Sequence, residues 1–271
     1  MNQPRTGAGS ARAFWTRVVS AAVLAPLALA AVWAGGAIYA ALIFAAALLM
    51  MFEAGSMARL DRSDMGLSVG GVGAAVLFAI FAGPGQALVI GSAVTAALAV
   101  RTRGKPQMLS ALAPVYVVAS AAALLLLRAH PEGLMLIVWL LVTVWAADTG
   151  GYAAGKTIGG PKLAPRISPG KTWAGLAGTM VFAGIASAGF SLATGLGAVV
   201  AMAAAGVAVA LVSQAGDLGE SAYKRFYGCK DSGSLIPGHG GILDRVDGLV
   251  AAAILVSVAT AATGETVFQW P

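Results

Sequence analysis

Apolar runs of about twenty residues follow one another along this chain, separated only by short polar joints. Nine can be read, at about 14–35, 37–57, 66–83, 86–100, 108–127, 133–155, 172–193, 195–218 and 246–268. About 20 residues is the length a helix needs to cross the hydrocarbon core of a bilayer. Within lipid the backbone must bond to itself, and a continuous apolar run does so as a helix. The expected fold is therefore an all-α integral membrane protein, a polytopic bundle of about nine transmembrane helices. Charged residues are 10% of the chain, against roughly 25% in a soluble domain, which excludes an ordinary soluble enzyme. The runs are rich in alanine and glycine, which lets helices approach closely in lipid. The third and fourth are short and interrupted by glycine, so their edges are the least defined.

Basic residues orient the bundle independently of the span count. Of 17 lysines and arginines, all but Arg128 fall before or at the start of the first run or in every second joint after it. Positive charge marks cytoplasmic loops, so the N-terminus is expected in the cytoplasm and the C-terminus outside. The first run follows Arg5, Arg12 and Arg17 and contains an Ala-x-Ala sequence, as a cleaved signal peptide would. Its apolar stretch continues through Ala34, so it is expected to remain as the first span. The chain divides into residues 1–130, carrying about five N-terminal spans, and residues 131–271, a catalytic region with cytoplasmic loops 156–171 and 220–247. A single cysteine, Cys229, rules out an internal disulfide.

The stretch from Asp148 to Thr157 matches the phosphate-loop pattern, with Gly150, Gly155, Lys156 and Thr157 at the required spacing. That pattern needs a strand before the loop and a helix after it. Here a span-length apolar run precedes it, and a Gly- and Pro-rich stretch follows, so a phosphate loop is not expected. Gly150 and Gly151 read as packing residues. Asp148 has two readings, an interfacial residue that reaches water or a site carboxylate at the mouth of a polar cavity.

Chemistry concentrates between Ser213 and Gly248, which holds five of the 11 acidic residues. If the eighth helix continues into it, Asp217, Glu220, Ser221, Lys224 and Arg225 form one helical stripe. Carboxylates followed by cations suit a metal-bound polyphosphate, with oxygen ligands for a hard divalent ion and donors for phosphate oxygens. Asp244 and Asp247 share a face at the start of the ninth helix. Together with Asp217 they make a candidate Mg²⁺ site. Glu53 is another acid within a span, on the N-terminal side of this region.

At this point the sequence resembles the phosphatidate cytidylyltransferases, or CDP-diacylglycerol synthases. Their C-terminal signature is carried here by Ser221, Lys224, Arg225, Lys230, Asp231, Gly233, Ile236, Pro237, His239, Gly240, Gly241, Asp244, Arg245 and Asp247, preceded by a similar Gln-Ala-Gly-Asp-Leu-Gly-Glu-Ser stretch. Two positions depart: Gly170 and Ala174 stand where the family has a lysine and a glutamate in the loop before the seventh span. Tyr223 also stands where an aliphatic residue or phenylalanine is usual.

The resemblance implies transfer of CMP from CTP to phosphatidic acid, giving CDP-diacylglycerol and pyrophosphate, in a bacterial-type inner membrane with the active site facing the cytoplasm. On that reading Asp217, Asp244 and Asp247 hold magnesium, and Lys224, Arg225 and Lys230 grip phosphates. Ser168, Lys171, Ser221, Asp231, His239 and Arg245 complete the substrate cavity, with Asp148 and Lys156 at second rank. Partners are CTP, phosphatidic acid and membrane lipids, with no nucleic acid, and a homodimer is the default assembly. Two rivals are set aside. A CDP-alcohol phosphatidyltransferase would carry a different aspartate pattern, absent here, and an ion-coupled transporter would place its acids near mid-span.

Overall fold

A computed structural model describes residues 7–236 and 240–271, so His239 lies outside the described residues. Among these, the chain forms nine α-helices: α1 (Gly7–Ala34), α2 (Gly36–Met57), α3 (Arg62–Phe81), α4 (Pro84–Arg101), α5 (Ala113–Ala129), α6 (Gly133–Thr157), α7 (Trp173–Thr194), α8 (Val199–Phe226) and α9 (Leu243–Thr263). Eight of them, α2 to α9, are long and apolar enough to cross a membrane, α5 together with the 3-10 turn Pro106–Leu112 that leads into it. The apolar end of α1, Ala22–Ala34, is shorter. The chain is thus an all-α polytopic membrane protein, and each expected run overlaps one helix, although the last extends past Thr263 into the 3-10 turn Val267–Gln269.

Two features differ from the expectation. The polar joint after α6 holds a two-stranded antiparallel hairpin, β1 (Lys162–Ala164) and β2 (Ser168–Thr172), pairing Lys162 with Thr172 and Ala164 with Ser168. It ends directly in α7, where the Thr172 hydroxyl accepts the Gly175 amide at 3.0 Å and caps the helix. Second, the expected loop at 220–247 is helical at both edges. Helix α8 continues through Phe226, as the polar stripe requires, and α9 begins at Leu243.

The phosphate-loop match dissolves into packing. Asp148 to Thr157 is the last part of α6, and its glycines face α7. A Cβ on Gly150 would lie 2.5 Å from the Gly178 carbonyl oxygen, and one on Gly151 would lie 2.5 Å from the Thr179 hydroxyl. Glycine lets the two backbones touch, the usual device for helices in lipid. Trp139, fully buried on α6, donates to Ser187 of α7 at 2.7 Å, and Ser187 donates in turn to the Met202 carbonyl of α8. These bonds pin three helices together toward the end opposite the hairpin. On the other side, α9 packs against both α5 and α8, while α2 to α5 pack on one another. One core cluster runs from Val32 to Phe268.

The two ends of the bundle are tied differently. At one, Arg128 donates to the Val32 carbonyl at 2.8 Å and satisfies the end of α1. At the other, Arg101 pairs with Asp64 and joins α4 to α3. That second end also carries the hairpin and the joint between α8 and α9.

Candidate active site

Helices α6, α8 and α9 bring carboxylates to one cavity at the hairpin end of the bundle. Its volume is about 320 Å³, and its wall includes Asp148, Ser213, Asp217, Lys224, Asp231, Asp244, Arg245, Asp247 and Gly248. Five carboxylates thus face two cations. Asp148 lines this wall and is itself exposed.

The stripe on α8 works by spacing. Residues 217, 220, 221 and 224 fall on one face, and Lys224 reaches both along its own helix and across to α9. Its ammonium lies 2.6 Å from Glu220 Oε2 and 2.6 Å from Asp244 Oδ1. The contact with Glu220 is an ion pair without hydrogen-bond alignment. All three side chains are nearly buried, between 7% and 11% exposed. In so dry a place an unpaired charge is strongly disfavoured, and the three side chains cluster against one another.

Asp244 is the most heavily bonded carboxylate of the set. Besides Lys224, its Oδ2 accepts the Ser232 amide at 2.8 Å, the Ser232 hydroxyl at 2.8 Å and the Gly241 amide at 3.0 Å. Asp217 is more open, with its side chain 34% exposed, and pairs with Lys171 at 2.6 Å. Lys171 enters from β2 and also donates to Gln214 at 2.6 Å. Ser221 donates to Asp217 Oδ1 at 3.3 Å. Among the described residues Asp247 accepts the amide of its neighbour Gly248, at 2.8 Å, and it lines the cavity.

Other residues expected here lie elsewhere. Lys156 is exposed and bonds Tyr152, with its ammonium 5.4 Å from the ring centre. It stands off the cavity because α6 has carried it a further two turns along. Arg225 braces the hairpin instead, donating to the Ile167 carbonyl at 3.3 Å and the Cys229 carbonyl at 3.0 Å. Lys230 is exposed and Ser168 pairs within the hairpin, and neither forms part of the wall.

Sequence reasoning did not select Ser213, Gln214, Ser232 or Glu53. The first three lie inside polar stretches already singled out. Glu53 carried only the signal of a lone carboxylate within an apolar run. It is 2% exposed, yet its oxygens accept the amides of Ile242 and Leu243 and the hydroxyl of Ser232. Nearby, Tyr223 donates to the Ala54 carbonyl at 2.9 Å, so the tyrosine that departs from the family pattern gives α8 a bond to α2.

Residues 15–262 match the model of the cytidylyltransferase family. The chain belongs to that family. Among its relatives, the phosphatidate cytidylyltransferase of Brucella suis biovar 1 (strain 1330) is 39% identical over 248 residues, covering 89% of this chain and 91% of that protein. The enzymes of the same name from Haemophilus influenzae and Bacillus subtilis (strain 168) are each 44% identical over shorter stretches, 126 and 116 residues. The match of this cytidylyltransferase to the Brucella enzyme therefore takes in both the spans and the cavity.

Proposed function

We propose that this cytidylyltransferase transfers CMP from CTP to phosphatidic acid at the cytoplasmic face of a bacterial inner membrane. The observation that carries the reading is the cavity itself: carboxylates from three transmembrane helices, with lysines bonded to two of them, open at the end of the bundle where the basic joints cluster. That end faces the cytoplasm by the charge rule, which is where CTP is found. Full-length relatives bearing the phosphatidate name support the choice of lipid.

A triphosphate would be repelled by five carboxylates, which Lys224, Arg245 and the nearby Lys171 offset only in part, unless a further positive charge came with it. Among the described residues no three acidic, histidine or cysteine side chains converge closely enough to hold a metal alone. Magnesium takes one or two carboxylates and completes its shell with substrate phosphates and water. Asp217 and Asp244, with Asp247 beside them, are the residues to hold it. When bound, the ion neutralises phosphate charge and stabilises the departing pyrophosphate.

The protein's own groups do the rest. An ionised phosphate oxygen of phosphatidic acid attacks the α-phosphorus of CTP, and the bond from that phosphorus to the β-phosphate oxygen breaks. No strong base is required, because the nucleophile is already an oxyanion, so positioning and charge neutralisation dominate. Lys171 and Lys224, now held by Asp217 and Asp244, present ammonium groups that phosphate oxygens compete for. Arg245 offers a planar donor at the cavity wall. The acyl chains remain in the bilayer, and the headgroup reaches the cavity from the membrane surface.

Detergent-purified protein should convert labelled CTP and phosphatidic acid to a lipid-soluble product, and a chelator should abolish the conversion. Product formation that survives chelation, or that survives Asp217→Ala, would remove the metal assignment. Turnover with CDP-diacylglycerol as donor but not CTP would remove the reaction itself.

A further inference from the structure

We infer that Glu53, on α2 and far from the polar stretches in sequence, is a positioning residue for the carboxylates at the start of α9. The inference rests on the reading of Asp244 and Asp247 as groups that hold the cation. Helix α9 begins with no side-chain cap of its own at Ile242, and the first amides of a helix have no partner within it. Glu53 supplies the cap from another helix. Its Oε1 accepts the Ile242 amide at 2.9 Å and its Oε2 the Leu243 amide at 3.0 Å. A carboxylate there is also favoured by the positive end of the helix dipole. Among the described residues no cation pairs with Glu53, and its oxygens are taken up by these donors.

The loop is shaped around it. A Cβ on Gly241 would sit 2.5 Å from both Glu53 oxygens, and one on Gly233 would sit 3.1 Å from Oε1. Ser232 completes the link: its hydroxyl lies 3.1 Å from Glu53 Oε2 and 2.8 Å from Asp244 Oδ2. A hydroxyl has one proton to share between these two carboxylates. Glu53 therefore fixes both the first turn of α9, which aims Asp244 and Asp247, and the serine that holds Asp244. Groups that orient ligands in this way typically change metal affinity or activity by about 10–100-fold when removed.

The test uses Glu53→Gln, which keeps the shape but sets an amide donor against backbone donors, and Ser232→Ala, which cuts the link while leaving the cap. In the full-length protein in detergent, the magnesium concentration for half-maximal rate should rise about 10–100-fold in Glu53→Gln. It should rise by less in Ser232→Ala, while KM for phosphatidic acid changes less than about twofold. Calorimetric titration of magnesium with CTP should show the same weakening without turnover. An unchanged magnesium response in both variants, or a fall in rate that leaves it unchanged, would make Glu53 a packing residue only and overturn the inference. If the parent makes no CDP-diacylglycerol, the proposed reaction fails, and the calorimetric shift still decides whether Glu53 sets cation binding.

Discussion

At the scale of single residues, Asp217 and Asp244 look alike in sequence and differ in what surrounds them. Asp217 is a third exposed and shares one oxygen with Lys171. Asp244 is buried against Lys224, Ser232 and Gly241. Asp217→Ala and Asp244→Ala should each lower turnover by on the order of 10²–10³, the range for losing a group that stabilises developing charge. Their stabilities should diverge. Asp244→Ala strands buried donors at about 1–3 kcal/mol, whereas an exposed ion pair is worth about 0–1 kcal/mol. Melting curves in detergent should therefore place Asp244→Ala well below the parent and Asp217→Ala close to it. Lys171→Met should raise KM for CTP more than it lowers kcat, because it removes a phosphate donor that rests on Asp217 beforehand.

Elements explain which parts could be read in advance. The helices were legible because span length and apolarity are properties of contiguous residues, and the stripe on α8 was legible because Asp217, Ser221 and Lys224 recur at helical spacing. The hairpin was not, since Ser168 to Thr172 alternates weakly and its pairing depends on a neighbour strand of three residues. Nor was Glu53, whose partners lie some 190 residues away. Lys156 and Arg225 were misplaced for a common reason: sequence spacing gives the face of a helix, not where a cavity stops along it. Two substitutions test the elements themselves. Thr172→Ala removes the cap of α7 and should cost about 1 kcal/mol. Gly150→Leu forces α6 from α7, and overpacking of that kind typically costs about 1–3 kcal/mol. Both are read from thermal melting, and the second should also depress turnover by shifting Asp148.

For the molecule as a whole, orientation follows from charge and can be measured. In a Cys229→Ser background, cysteines at Arg103 and Arg166 should react with an impermeant maleimide only from the cytoplasmic side, and one at Pro131 only from the opposite side. Labelling of Arg166→Cys from outside would invert the proposed topology. The cavity's two lysine–carboxylate pairs carry a further consequence at this scale. Lys171 and Lys224 pair with Asp217 and Asp244 from within the chain, so folding is expected not to depend on a loaded site, unlike small domains whose metal is their core. Protein stripped by a chelator should keep its melting temperature to within a few degrees and regain full activity when magnesium is returned. On the proposed function, such an enzyme would idle through swings in cation supply as an intact, discharged machine, ready to restart without being made again.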